Sequence, residues 1–250
     1  MRGTPAATPP PSVAPRGHAP ETTVRIPRCD ETIRGELEPL LAPGVRFASC
    51  YAYAPLGDGP LCAAAREMRA RLKEADPRWI ARFAAEVWTV RMRERSFAAL
   101  FDGNVVLVPV PGSSPQPGGP WVGERLAWCL REMGLARALW PCVRRRYRVR
   151  KSAFAASGER PSVLEHFASF AVDRLQDTAS TPRLVLVDDV ITRGRTLLAA
   201  AARLREAFPG SEIRAFAMMR TLGRGEVPSR NPDPCEGAVR WLRGDARREP

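Results

Sequence analysis

Residues 184–196 read Leu184-Val185-Leu186-Val187-Asp188-Asp189-Val190-Ile191-Thr192-Arg193-Gly194-Arg195-Thr196. The four apolar residues that open this stretch form an unbroken run, as a strand buried on both faces requires. Two carboxylates close the run. Burying both without partners would be costly, so they belong at a solvated mouth or against a polar ligand. Thr192-x-Gly194-x-Thr196 follows and leads into a helix with Leu197, Ala201, Leu204 and Phe208 on one stripe, ended by Pro209-Gly210. Gly194 lets the backbone approach closely, two threonine hydroxyls flank it, and the first-turn N–H groups point out of the helix end. Together these make a cradle for a phosphate. Acids beside such a cradle suit a ligand with both sugar hydroxyls and a phosphate.

Two other apolar runs have the same character. Val105-Val106-Leu107-Val108 lies between Gly103 and Pro109, and a third run spans Ile213 to Met219. After the first comes a Pro/Gly/Ser loop from Pro109 to Pro120, then a helix from about Trp121 to Met133. Strands alternating with helices predict an α/β fold, a mainly parallel twisted sheet flanked by helices on both faces. Ligands of such sheets bind at the carboxyl ends of the strands.

Upstream, Leu61, Ala65, Met68 and Leu72 recur at helical spacing, and Asp76-Pro77 punctuates with Pro77 in a favourable first-turn position. Ile80, Phe83, Val87 and Val90, with Phe97 beyond them, predict a second helix. Phe47, Tyr51 and Tyr53 suggest a short strand or a packed loop. Residues 1–27, rich in Pro and Ala, predict a disordered leader. The remaining divisions are an N-terminal helical region over 28–103, a core over 104–222 and a C-terminal extension over 223–250. No internal repeat is visible.

The chain has 250 residues, 44% hydrophobic and 26% charged, the balance of a globular protein with a sizeable core. No apolar run approaches the ~20 residues of a membrane span. The first 20 residues lack a continuous apolar segment, so no secretory leader is expected and a cytoplasmic location is. The net charge of +12 comes almost wholly from arginine, with Lys73 and Lys151 the two lysines. That charge leaves nucleic acid open as a partner without favouring it. Six scattered cysteines with no C-x-x-C pair, and two histidines (His18 and His166), predict reduced thiols rather than structural zinc or a disulfide framework. His166 reads as structural. No G-x-S-x-G elbow supports a serine hydrolase.

From Val143 onward, Arg144, Arg146, Arg148 and Arg150 alternate with Val143, Arg145, Tyr147 and Val149, as on a strand with one basic face. A solvated strand edge explains this alternation as well as a binding face does.

The run LVLVDDVITRGRT over 184–196 resembles the PRPP (phosphoribosyl pyrophosphate) signature of type I phosphoribosyltransferases, the subgroup that includes orotate phosphoribosyltransferases and ComF-like proteins. Arg193 departs from the family, which more often has a small residue there. Val-Pro-Val-Pro-Gly-Ser, ending at Ser113, is similar to the ComF-like strand end. Arg150-Lys151 with Gly158 resembles the mobile catalytic loop of orotate phosphoribosyltransferases. The resemblance covers 104–222; the Cys-rich zinc module usual in ComF-like proteins is not seen.

The resemblance implies that Asp188 and Asp189 hold the ribose hydroxyls and, through water and PRPP, Mg²⁺. Thr192, Arg193, Gly194, Arg195 and Thr196 would bind the 5′-phosphate, Val190 and Ile191 would also contact PRPP, and Pro111, Gly112 and Ser113 would bind the pyrophosphate. Arg150 and Lys151 would act as catalytic cations on the leaving group. It further implies a variable hood, built from 39–100 and 223–243, over an unidentified nitrogenous acceptor; homodimer formation is left open. Two alternatives stand beside the enzyme: a non-catalytic PRPP or nucleotide sensor, and a ComF-like DNA-associated accessory protein.

Overall fold

The computed structural model describes residues 31–115, 120–150, 160–173 and 183–250. The elements run α1 (Glu31–Leu41), β1 (Val45–Tyr53), α2 (Pro60–Glu74), α3 (Pro77–Arg93), α4 (Arg95–Leu100), β2 (Val106–Pro109), α5 (Val122–Glu132), β3 (Ala138–Leu139), β4 (Val143–Arg145), α6 (Val163–Ser169), β5 (Phe170–Val172), β6 (Leu184–Ile191), α7 (Arg195–Ala207), β7 (Ile213–Thr221), β8 (Cys235–Leu242) and β9 (Asp245–Glu249). The expected leader over 1–27 lies outside the described residues.

The three apolar runs become β2, β6 and β7, neighbours in a seven-stranded sheet of order β3-β2-β6-β7-β1-β8-β9. The first five strands are parallel, and β8 and β9 add an antiparallel hairpin. The fold is therefore α/β with a mostly parallel mixed sheet. Helices cover both faces. Leu197, Leu198 and Leu204 of α7 pack with Leu184 and Leu186 of β6, while Leu126 and Leu130 of α5 and Phe83 of α3 pack with Val185 and Val187. Burial on both sides is why β6 begins as a continuous apolar run. No described helix is long and apolar enough to cross a membrane.

Several local readings are refined by tertiary context. β6 continues past its apolar run through the acid pair to Ile191, because β7 is long enough to pair it as far as Ile191↔Arg220. Residues 45–53, expected as a short strand or packed loop within the hood region, make an inner strand of the main sheet between β7 and β8. The β8–β9 hairpin turns through Arg243-Gly244, both at positive φ, as the favoured two-residue hairpin turns require. The alternating basic stretch is a strand only over Val143–Arg145, paired with β5. Its inside-outside alternation nevertheless runs on through Val149.

α3 starts as its sequence indicates, with Asp76 accepting from Arg78 N at 2.8 Å and Pro77 in the first turn. Just before it, Ala75 closes α2 in the left-handed region at φ 56°. A Cβ is strained there, so Ala75→Gly should raise stability by about 0.5–1 kcal/mol, read as a higher denaturation midpoint at unchanged m-value.

Candidate functional site

After β2 the chain turns outward through α5 to the edge strand β3. After β6 it turns the other way, through α7 to β7. The loops leaving β2 and β6 therefore diverge over opposite faces and leave a crevice between the two strand ends, the place where open α/β sheets bind ligands. Both motifs singled out in the sequence meet there. Val110 N donates to Val187 O at 2.9 Å, and the Trp121 indole returns to Val110 O at 2.8 Å, fixing the β2 loop beside the acid-bearing end of β6.

The two acids do not share a face. Leu184 and Leu186 point to the α7 side, Val185 and Val187 to the α5 side, and strand alternation carries Asp188 and Asp189 apart in the same way. Asp188 lines a cavity of about 120 Å³ together with residues 190–197, Arg160 and His166. Asp189 is ion-paired with Lys73 near the C-terminal end of α2.

The cavity is walled by the start of α7. Gly194 is the N-cap in left-handed conformation, φ 81°, and no side chain caps the helix among the described residues. The first-turn N–H groups of this 13-residue helix are therefore available to an anion, with the helix dipole behind them. A Cβ on Gly194 would meet Val239 of β8, with Cγ1 at 2.8 Å and Cγ2 closer still. The glycine is thus required by close packing against β8 before any ligand arrives. Thr196 and half-buried Val190 line the cavity, and Ile191 is buried in the wall. Thr192 is exposed, with Oγ1 3.1 Å from Thr221 Oγ1.

The two arginines of the cradle differ. Arg195 donates Nε to Asp245 Oδ1 at 2.7 Å, its NH2 to the same carboxylate, and its NH1 to the carbonyls of Arg160 and Pro161 at 3.1 Å. Its side chain clamps the start of α7 to β9, which leaves its backbone N–H, and not its guanidinium, open to the cavity's contents. Arg193 is exposed, its nearest carboxylate contact 3.9 Å away at Asp245. Arg160 also lines the cavity, and its Nε is buried without a hydrogen-bond partner.

The β2 loop is tied to the arginine-rich segment. Pro111 is buried; Gly112 O accepts from Arg145 Nε at 2.8 Å, Ser113 O from Val149 N at 2.8 Å, and Ser114 Oγ from Arg148 Nε at 3.2 Å. Arg150 is exposed at the end of this segment. Lys151 and Gly158 lie outside the described residues.

Burial, reinforced by the charge of Asp189, pushes the Asp188 carboxyl up to about 7, against the pull of Lys73. Removing the ammonium removes that pull. Lys73→Met should therefore move the protonation midpoint of Asp188 further up, and ligand binding that needs its carboxylate should fade at a higher pH than in the parent. The Asp188 carboxyl titration followed by carbon-13 NMR from pH 5 to 9 checks this; superimposable curves for parent and variant would show that Lys73 does not act on the acid.

Three residues at this site were missed in the sequence: Lys73, Arg145 and Arg160. Lys73 carried a faint signal as one of two lysines. Arg145 carried a better one, since it occupies an inward position of the alternation between Val143 and Tyr147, where a cation needs partners. Arg160 carried none. The described cysteines are all free thiols. Among the described residues no three His, Cys, Asp or Glu side chains converge. The chain matches no known family model and no curated protein.

Proposed function

We propose that the chain is a phosphoribosyltransferase of the type I class, transferring the phosphoribosyl group of PRPP to a nitrogen acceptor with release of pyrophosphate. The observation that carries this reading is the meeting, at one crevice, of the β6 acid and phosphate cradle with the Pro111–Ser113 loop of β2. A sugar between two phosphate groups needs both halves.

In this reading the α7 N–H groups and Thr196 hold the 5′-phosphate, and Asp188 accepts from the ribose hydroxyls. The β2 loop and Arg150 face the pyrophosphate, with Lys151 next to it in sequence. The C1–O bond breaks, its electron pair leaves with pyrophosphate, and the acceptor nitrogen forms the new bond to C1. The protein's contribution is positional and electrostatic, with cations matched to the leaving group and a carboxylate beneath the cationic sugar. Asp188, the carboxylate that lines the cavity, would hold Mg²⁺ through water and PRPP, with the other positions taken by substrate oxygens and water as that ion prefers. When bound it would neutralise charge on the diphosphate. Acceptor-dependent pyrophosphate release, assayed against a panel of nitrogenous bases and amines, tests the proposal. PRPP binding without release for any acceptor would favour a sensor, and absence of PRPP binding would overturn both.

A further inference from the structure

His166 is buried, 4% exposed, on α6 between the cradle and Arg145. Arg145 is buried too, and each of its three nitrogens has a partner: Nε donates to Gly112 O at 2.8 Å, NH1 to Ser169 Oγ and NH2 to His166 Nδ1 at 3.0 Å, while its face lies over the Phe170 ring at 3.9 Å. A guanidinium has no lone pair and only donates, so His166 Nδ1 must accept. Burial, then the nearby charges of Arg145 and Arg195, hold the imidazole neutral, down to about 3. A neutral ring that accepts at Nδ1 carries its proton on Nε2. That nitrogen lies 3.5 Å from Thr196 Oγ1, in the wall of the phosphate cavity.

The same arginine orders the other loop. With the Gly112 carbonyl turned to Arg145 Nε, the N–H of that trans peptide, on Ser113, points the opposite way. One buried cation thus sets a peptide in the β2 loop and a ring beside the β6 cradle.

We propose that Arg145 and His166 form a single positioning unit for the two anion subsites: Arg145 orients the β2 loop and the imidazole, and the His166 Nε2–H holds Thr196 Oγ1 so that the threonine proton faces the phosphate. The inference rests on the phosphoribosyl reading of the cavity. It differs from a structural role for His166, because it requires one tautomer and predicts different losses at the two subsites.

The test titrates ribose 5-phosphate and, separately, inorganic pyrophosphate into parent, His166→Phe, His166→Gln, Thr196→Val, His166→Phe with Thr196→Val, and Arg145→Met proteins, each checked by thermal unfolding. His166→Phe should weaken ribose 5-phosphate by about 10-fold, the size of one lost hydrogen bond, and leave pyrophosphate within about 2-fold. His166→Gln, with an amide donor in the same region, should recover much of the loss. Thr196→Val should reproduce it, and the double variant should be no worse than either single one, as residues acting in series require. Arg145→Met should weaken both ligands; should it fail to fold, the His166 and Thr196 variants still decide the relay. Nitrogen-15 spectra of the unliganded parent should show His166 as the Nε2–H tautomer, with no titration above about pH 4. An Nδ1–H tautomer, or equal affinities in parent and His166→Phe, would overturn the relay while leaving the cavity's ligand intact. A parent that binds neither ligand would instead remove the phosphoribosyl reading, and the relay with it.

Discussion

Replacing Asp188 and Asp189 together by asparagine should abolish measurable Mg²⁺-dependent PRPP binding in a protein that melts higher than its parent at pH 8. The two charged hydrogen bonds that Asp188 would accept from the ribose hydroxyls would be lost, at about 1.5–3 kcal/mol each, or roughly 10²- to 10⁴-fold in affinity. The singles should be unequal, since Asp188 lines the cavity and Asp189 is occupied by Lys73. The rise in stability follows from linkage. Asp188 sits well above the usual carboxylate range because burial disfavours its charge. From about pH 4 to 7 the folded protein holds a proton that the unfolded chain has released, so stability falls as pH rises through that window. Above it the ionised group costs on the order of 1–2 kcal/mol after allowance for its partial exposure. Asp188→Asn removes that cost. The gain in melting temperature should be roughly 2–6 °C at pH 8 and vanish near pH 4. Lost binding together with lost stability would instead mark the acids as structural.

Gly194→Val should be the most damaging single change in the cradle. The left-handed backbone costs a β-branched residue about 1–2 kcal/mol or more, and the collision with Val239 adds about 1–3 kcal/mol of overpacking. A fall in melting temperature of roughly 5–20 °C is expected, with loss of ribose 5-phosphate binding because the α7 amides are displaced. Adding Val239→Ala should recover the packing share and leave the backbone share. If the double variant is no more stable than Gly194→Val, the contact with β8 is not what requires the glycine.

How much of this was legible in sequence depends on how local its cause is. β6 and β7 print as apolar runs because both their faces are buried, and Gly194 and the two threonines stand in the order a helix-end cradle needs. β1 shows only in part: Phe47, Tyr51 and Tyr53 suggest a short strand or packed loop, but Arg46 and Ser49 interrupt its apolar residues and its place between β7 and β8 is set by tertiary pairing. The divergence of Asp188 and Asp189 could have been read from strand alternation once β6 was known to run through them. Lys73 could not, because 116 residues separate it from Asp189 and no local pattern marks the contact. Arg145 lay between these cases: its inward position was visible, but its partners come from two distant segments, Gly112 from the β2 loop and His166 and Ser169 from α6.

The most direct test of the central claim is calorimetric titration of PRPP into the intact protein with and without Mg²⁺. A single saturable site, strengthened by Mg²⁺, competed by ribose 5-phosphate and lost in the Asp188→Asn, Asp189→Asn variant, is the predicted result. No heat of binding in either condition, or an affinity unchanged by loss of the two acids in a folded protein, would contradict it.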